Sequence, residues 1–138
     1  MLNLRTTAIV AGLLLSSSVL ADIAIIVSPA SGVSTANTED VARVFLGKSK
    51  EIAGAATLPL DQAEGSPARE QFNEKILHKS QAQVKAYWSK LIFTGKGTPP
   101  KDVAGDDAVK AQVAADPKAI GYIDAAAVDA SVKVILKM

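Results

Sequence analysis

Short β-branched runs alternate along this chain with longer stretches in which apolar residues recur every three or four positions. Ile23-Ala24-Ile25-Ile26-Val27 is stopped by Ser28-Pro29, which predicts a buried strand running straight into a loop. The loop from Ser28 to Asn37 is rich in Ser, Gly and Thr and has no apolar period. Asn37 or Thr38 then caps a helix whose core face is Val41, Val44 and Phe45, and Gly47 ends it. Thr57 to Leu60 reads as a short strand, which Pro59 places at a sheet edge or at a strand start. A second helix opens at Ser66-Pro67, with Ala68, Phe72 and Ile76 as its buried stripe. Ser80 and Gln83 form a capping box for a third, with Val84, Tyr87, Trp88, Leu91 and Ile92 on one face. Thr94 to Pro100 is a loop by composition, and Asp106 or Asp107 starts a fourth helix carrying Val109 and Val113. Ala119 to Asp124 and Val132 to Leu136 complete the pattern as strands. Strands alternating with helices, joined by connections far longer than hairpins, predict an α/β fold around a small mixed sheet.

The beginning of the chain follows a different logic. Arg5 is a positive n-region, Ala8 to Leu15 an apolar h-region, and Val19-Leu20-Ala21 a small-residue cleavage pattern. The apolar run is too short to span a bilayer. Residues 1–21 therefore read as a signal peptide, with a domain from Asp22 to Met138 exported to a periplasm and not membrane-spanning after cleavage. That remainder is long enough for one hydrophobic core.

Leaving out Arg5 takes the formal charge from +1 to zero. A near-neutral chain without a basic block argues against nucleic-acid binding and against attraction to anionic lipid. Cysteine is absent, which removes disulfides, thiol nucleophiles and thiolate metal sites. His78 is the one histidine, and at a helix end it reads as a solvated residue. Asp61 and Glu64 read as turn formers and dipole partners, and Lys48 and Lys50 as solvated. Thr94-Gly95-Lys96-Gly97 lacks P-loop spacing. Trp88 fits core packing, while Tyr122, after Gly121, is open to packing or to ligand stacking. Enzymatic function, metal and cofactor are not expected. The chemistry that the chain does offer is the Ser66 helix start: free N–H groups, a positive dipole end, the Ser66 hydroxyl and the Arg69 guanidinium, together suited to an anion.

Six pieces in order carry a family resemblance: Ile25-Ile26-Val27-Ser28-Pro29, Val44-Phe45-Leu46-Gly47-Lys48, Gly65-Ser66-Pro67-Ala68-Arg69-Glu70-Gln71-Phe72, Tyr87-Trp88, Phe93-Thr94-Gly95 and Ala119-Ile120-Gly121-Tyr122-Ile123. With them the chain resembles the phosphate-binding protein of phosphate ABC transporters, and more closely the short single-lobe proteins of that group. The resemblance implies a single lobe of a type 2 periplasmic-binding-protein-like fold, a small mixed sheet flanked by helices. It implies a phosphate or similar oxyanion held by Gly65, Ser66, the Ala68 N–H and Arg69, with Gln62 as an auxiliary donor. An ABC permease or an envelope sensor is the partner it suggests. The family pattern Gly-Ser-Gly-Thr is altered here, because Pro67 replaces the middle Gly and Ala68 the Thr. Gln62 stands where an Arg is common. The alternative reading is a non-transport lobe that docks on an envelope partner.

Overall fold

The computed structural model describes residues 22–138. The signal-peptide expectation for residues 1–21 lies outside them. The main sheet contains β1 (Ile23–Val27), β4 (Leu58–Gln62), β5 (Lys101–Val103), β6 (Ala119–Asp124) and β7 (Lys133–Lys137), in the order β5-β4-β6-β1-β7. β4 runs parallel to both β5 and β6, whereas β1 is antiparallel to β6 and β7. A small hairpin, β2 (Glu51–Ile52) with β3 (Ala55–Ala56), stands apart from it. This is the expected mixed α/β lobe.

Both faces of the sheet are covered, so β1 is buried along its whole length. Ile23, Ile25 and Val27 face one side, where they meet α1 (Thr38–Phe45), α2 (Pro67–Phe72) and α3 (Gln81–Phe93). Ala24 and Ile26 face the other, beneath α4 (Asp106–Ala115). Asn37 caps α1 by accepting from the Asp40 N–H at 2.8 Å. The Ser80–Gln83 capping box closes in both directions. Trp88 is buried as expected, but Ile92 points to solvent because α3 ends one residue later.

The second helix departs from a simple α period. Past Phe72 it widens into a π-helical turn, Asn73–Leu77, that ends at left-handed, exposed His78. The wider turn buries Phe72, Ile76 and Leu77 together, where an unbroken α-helix would carry Leu77 off the stripe. β4 is flanked on both sides, so Pro59 is not at a sheet edge. Pairing with β5 begins only at Leu60, and Pro59 therefore sits where its missing N–H leaves no gap.

Gly121 sets the distance between β6 and α4. A Cβ there would lie 2.6 Å from Val109 Cγ1. Valine is stiff at χ1 in a helix and cannot turn away. Gly121→Ala is therefore expected to cost about 1–3 kcal/mol of stability, measured by urea unfolding. A loss within experimental error would show that α4 is free to shift outward.

Candidate functional site

The three adjacent parallel strands β5, β4 and β6 end at the same edge of the lobe. α2 follows β4 and α4 follows β5, so both helices start there. Open α/β sheets bind ligands in the crevice beyond the carboxyl ends of their strands. A cleft of about 590 Å³ occupies this position. Gln62 enters it from the end of β4, Ser66, Pro67 and Ala68 from the start of α2, Gly105 and Asp106 from the start of α4, and Asp124 from the end of β6.

The two helix starts differ. Gly65, at a φ of 85° that favours glycine, turns the chain into Ser66. Ser66 is the N-cap of α2, and its Oγ accepts from the Arg69 N–H at 3.2 Å. The Glu70 N–H goes to the Ser66 carbonyl, and Pro67 has no N–H. The Ala68 N–H is left as the first-turn donor without an acceptor among the described residues. α4 begins at Gly105 with no side-chain cap, so its first-turn N–H groups are open towards the cleft. Two positive dipole ends converge on one space.

Behind the cleft lies a buried polar network that composition and motif reading did not reveal. Asp61 and Asp102 are register partners across β4 and β5, an unfavourable pairing of like charges. Arg69 reaches between them, with Nη2 3.5 Å from Asp61 Oδ2 and Nη1 3.4 Å from Asp102 Oδ1. Nη1 also donates to the Gln62 carbonyl at 2.9 Å. The Tyr122 hydroxyl donates to Asp61, and the Gln62 N–H meets both that hydroxyl and the carboxylate. Burial raises the Asp61 pKa, with the Tyr122 hydrogen bond and Arg69 opposing the rise; burial likewise raises that of Tyr122, and the Asp61 charge adds to it.

The expected site residues thus separate into two groups. Gln62, Ser66 and Ala68 line the cleft, and Gly65 shapes the turn into it. Arg69 is not a lining residue: its guanidinium is turned to Asp61 and Asp102. Gln62 is also committed in part, because Nε2 donates to Asp106 Oδ1 at 2.7 Å and to the Tyr122 carbonyl at 2.8 Å. Tyr122 is fully buried and packs face to face on Phe72, which decides between packing and ligand stacking. The residues that sequence reading missed here are acidic. Asp106, Asp107 and Asp124 line the cleft, and among the described residues no Lys or Arg does. The buried Gln71 Oε1 has no hydrogen-bond partner there. Among the described residues no group of His, Cys, Asp or Glu is arranged to hold a metal ion, and no helix is long and apolar enough to cross a membrane.

Solved structures share this architecture. An ABC-type phosphate transport receptor from Vibrio cholerae superimposes with a TM-score of 0.67 at 22% identity, covering 84% of this chain and 47% of its own. A Clostridium perfringens structure, assigned as a phosphate ABC transporter substrate-binding protein and holding bound phosphate, gives 0.66 at 21%, covering 84% and 45%. PstS from Borrelia burgdorferi gives 0.62 at 15%, covering 83% and 47%. The fold is one lobe of a periplasmic-binding-protein-like protein. At these identities the likeness establishes the fold and nothing finer. The lobe spans about half the length of the structures it matches. No family model matches the sequence, and no curated protein matches it.

Proposed function

We propose that this lobe is a non-enzymatic, exported solute-binding protein that takes phosphate or a similar small oxyanion in the cleft between the starts of α2 and α4. The observation that carries this reading is the convergence of two helix N-termini, one of them uncapped, at the carboxyl ends of three parallel strands. The Ala68 N–H, the first-turn N–H groups of α4 and the Ser66 hydroxyl are the donors. Gly65 holds the turn, and Gln62 orders the wall through Asp106 and the Tyr122 carbonyl. Arg69 acts at one remove, by fixing the end of β4 from which Gln62 projects. The likeness to phosphate transport receptors supports the same reading.

The acidic lining refines the ligand. Carboxylates at Asp106, Asp107 and Asp124 repel a fully ionised anion but accept a hydrogen bond from a protonated one. Hydrogen phosphate carries such a proton near neutral pH and sulfate does not. Binding should be weaker than in a site closed by two lobes, because water screens an open cleft. An ABC permease or an envelope sensor is the partner class this role implies.

Isothermal titration calorimetry against phosphate, sulfate and acetate tests the proposal. Saturable binding of phosphate, with sulfate weaker and Ser66→Ala weaker again, is the expected result. Absence of saturable heat with all three anions would remove the oxyanion reading. The second reading, a lobe that docks on another protein, is favoured by one observation: Phe93, at the end of α3, is 92% exposed.

A further inference from the structure

The zero net charge beyond residue 21 conceals a strong segregation. From Lys75 to Lys101 the chain has no Asp or Glu, while Lys75, Lys79, Lys85, Lys90, Lys96 and Lys101 all fall within it. From Asp102 to Asp129 the balance reverses, with Asp102, Asp106, Asp107, Asp116, Asp124 and Asp129 against Lys110 and Lys118. The basic stretch contains α3 and the loop after it. The acidic stretch contains the start of α4 and the end of β6, which line the cleft.

The basic end is also apolar. Phe93 is 92% exposed and Ile92 55% exposed, side by side at the last turn of α3. Exposed Lys90 precedes them by less than a turn, and exposed Lys96 follows. Gly47 and Gly97 both lie against the Trp88 ring, which brings Lys48 to the same end as Lys96. Neither Lys48, Lys90 nor Lys96 has an ion-pair partner among the described residues. The opposite character is found in the cleft: Pro67, Ala104 and Ala127 offer an apolar surface, and Asp106, Asp107 and Asp124 offer charge. A protruding aromatic flanked by lysines on one part of this chain thus faces, on another part, a recess of apolar and acidic residues.

We propose that the tip of α3, with Phe93 as the inserted side chain and Lys90 and Lys96 beside it, docks in the acidic cleft of a second copy of this chain. Burying Phe93 and Ile92 supplies the apolar drive, and the lysines meet Asp107 and Asp124. Tip and cleft are different patches, so the contact closes as a two-fold pair where both tips reach both clefts at once and otherwise builds rings or open chains. The second copy also brings positive charge to a lining that has no Lys or Arg among the described residues. Arg69 is engaged with Asp61 and Asp102, and Lys110, 3.8 Å from Asp107, lies outside the lining and is bonded to Asp129 at 3.0 Å. This inference uses the cleft of the oxyanion reading but does not depend on an oxyanion being bound.

Sedimentation velocity over a concentration series tests it. The weight-average mass should rise with concentration at low salt and fall on adding sodium chloride. Phe93→Ser should move the transition to about tenfold higher concentration or more. The pair Lys90→Glu and Lys96→Glu should do the same, as should Asp107→Lys on the cleft side. Mixing the reversed-tip variant with the reversed-cleft variant should restore association. Circular dichroism should be unchanged in all of them, and melting unchanged in the tip variants. Asp107→Lys, which puts a cation in the first turn of α4 beside Lys110, should melt slightly lower while remaining folded. A monomer mass at every concentration overturns the proposal. So does association that ignores Phe93→Ser, and so does Phe93-dependent binding to phosphatidylglycerol vesicles by a protein that stays monomeric. The two readings of the cleft fail separately. A chain that associates but gives no heat with inorganic phosphate loses only the oxyanion reading. A monomer that binds phosphate loses only this one.

Discussion

Replacing Arg69 with alanine is expected to lower the free energy of unfolding by about 3–5 kcal/mol. The cost falls on Asp61, whose side chain is 9% exposed and loses the one positive group in contact with it among the described residues. Asp102, 69% exposed in its side chain, contributes little, because water screens it. The loss should depend on pH in a defined direction. Asp61 has a raised pKa in the fold, so the folded state holds that proton more tightly than the unfolded chain. Its contribution to stability is therefore present in acid and declines as pH rises from 3.8 through the folded value. Without Arg69 the folded value rises further, which extends the decline to higher pH and makes the variant relatively worst near neutrality. Urea unfolding of both proteins across the acid range measures this. Asp61→Asn added to Arg69→Ala should recover most of the loss. A loss below about 1 kcal/mol at neutral pH, as for a surface pair, would contradict the assignment. Such a result would leave Arg69 free to serve a ligand directly.

Phe72→Ala is the second large expected loss, about 3–5 kcal/mol. Phe72 is fully buried, stacks on Tyr122 with centroids 4.1 Å apart at 8°, and lies 4.6 Å from the Phe45 ring. Truncation removes contacts to α1 and β6 together and opens a cavity between them. It also frees one face of Tyr122, whose hydroxyl holds Asp61. Chemical denaturation followed by the fluorescence of Trp88, the one tryptophan, reads the effect. A loss near 1 kcal/mol would mean that the neighbouring side chains collapse into the space.

The fold was legible wherever one element carried its own periodicity and cap. β1 and β6 have continuous apolar runs, and α1, α2 and α3 begin at Asn37, Ser66 and Ser80, each of which makes its capping bond. Two kinds of element escaped. β5 has three residues, Lys101-Asp102-Val103, too few to show a pattern, and exists because β4 offers it a parallel edge. The β2–β3 hairpin has two residues per strand, Glu51-Ile52 and Ala55-Ala56, too few to show alternation, and positive φ at Ala53 and Gly54 forms its turn.

The candidate site was half legible. Ser66 and Gly65 could be recognised because the helix start is local in sequence. Arg69 was expected to face an anion, and in the structure its partners are carboxylates. Asp102 is 33 residues from Arg69, so only tertiary structure brings them together. The acidic wall was hidden for the same reason. Asp106 and Asp107 read as first-turn residues of α4, which they are, but nothing in their neighbourhood says that the turn opens on the same space as Ser66. Charge summed over the chain concealed both this wall and the lysines of α3.

The central claim is that the converging starts of α2 and α4 form an anion site. Amide NMR of the protein titrated with phosphate tests it most directly, because it reads the donors themselves. The account predicts saturable shifts centred on the Ala68, Asp106 and Asp107 N–H resonances, with Ser66→Ala weakening them. Shifts scattered over the lysines of α3, with the starts of α2 and α4 unmoved, would contradict it.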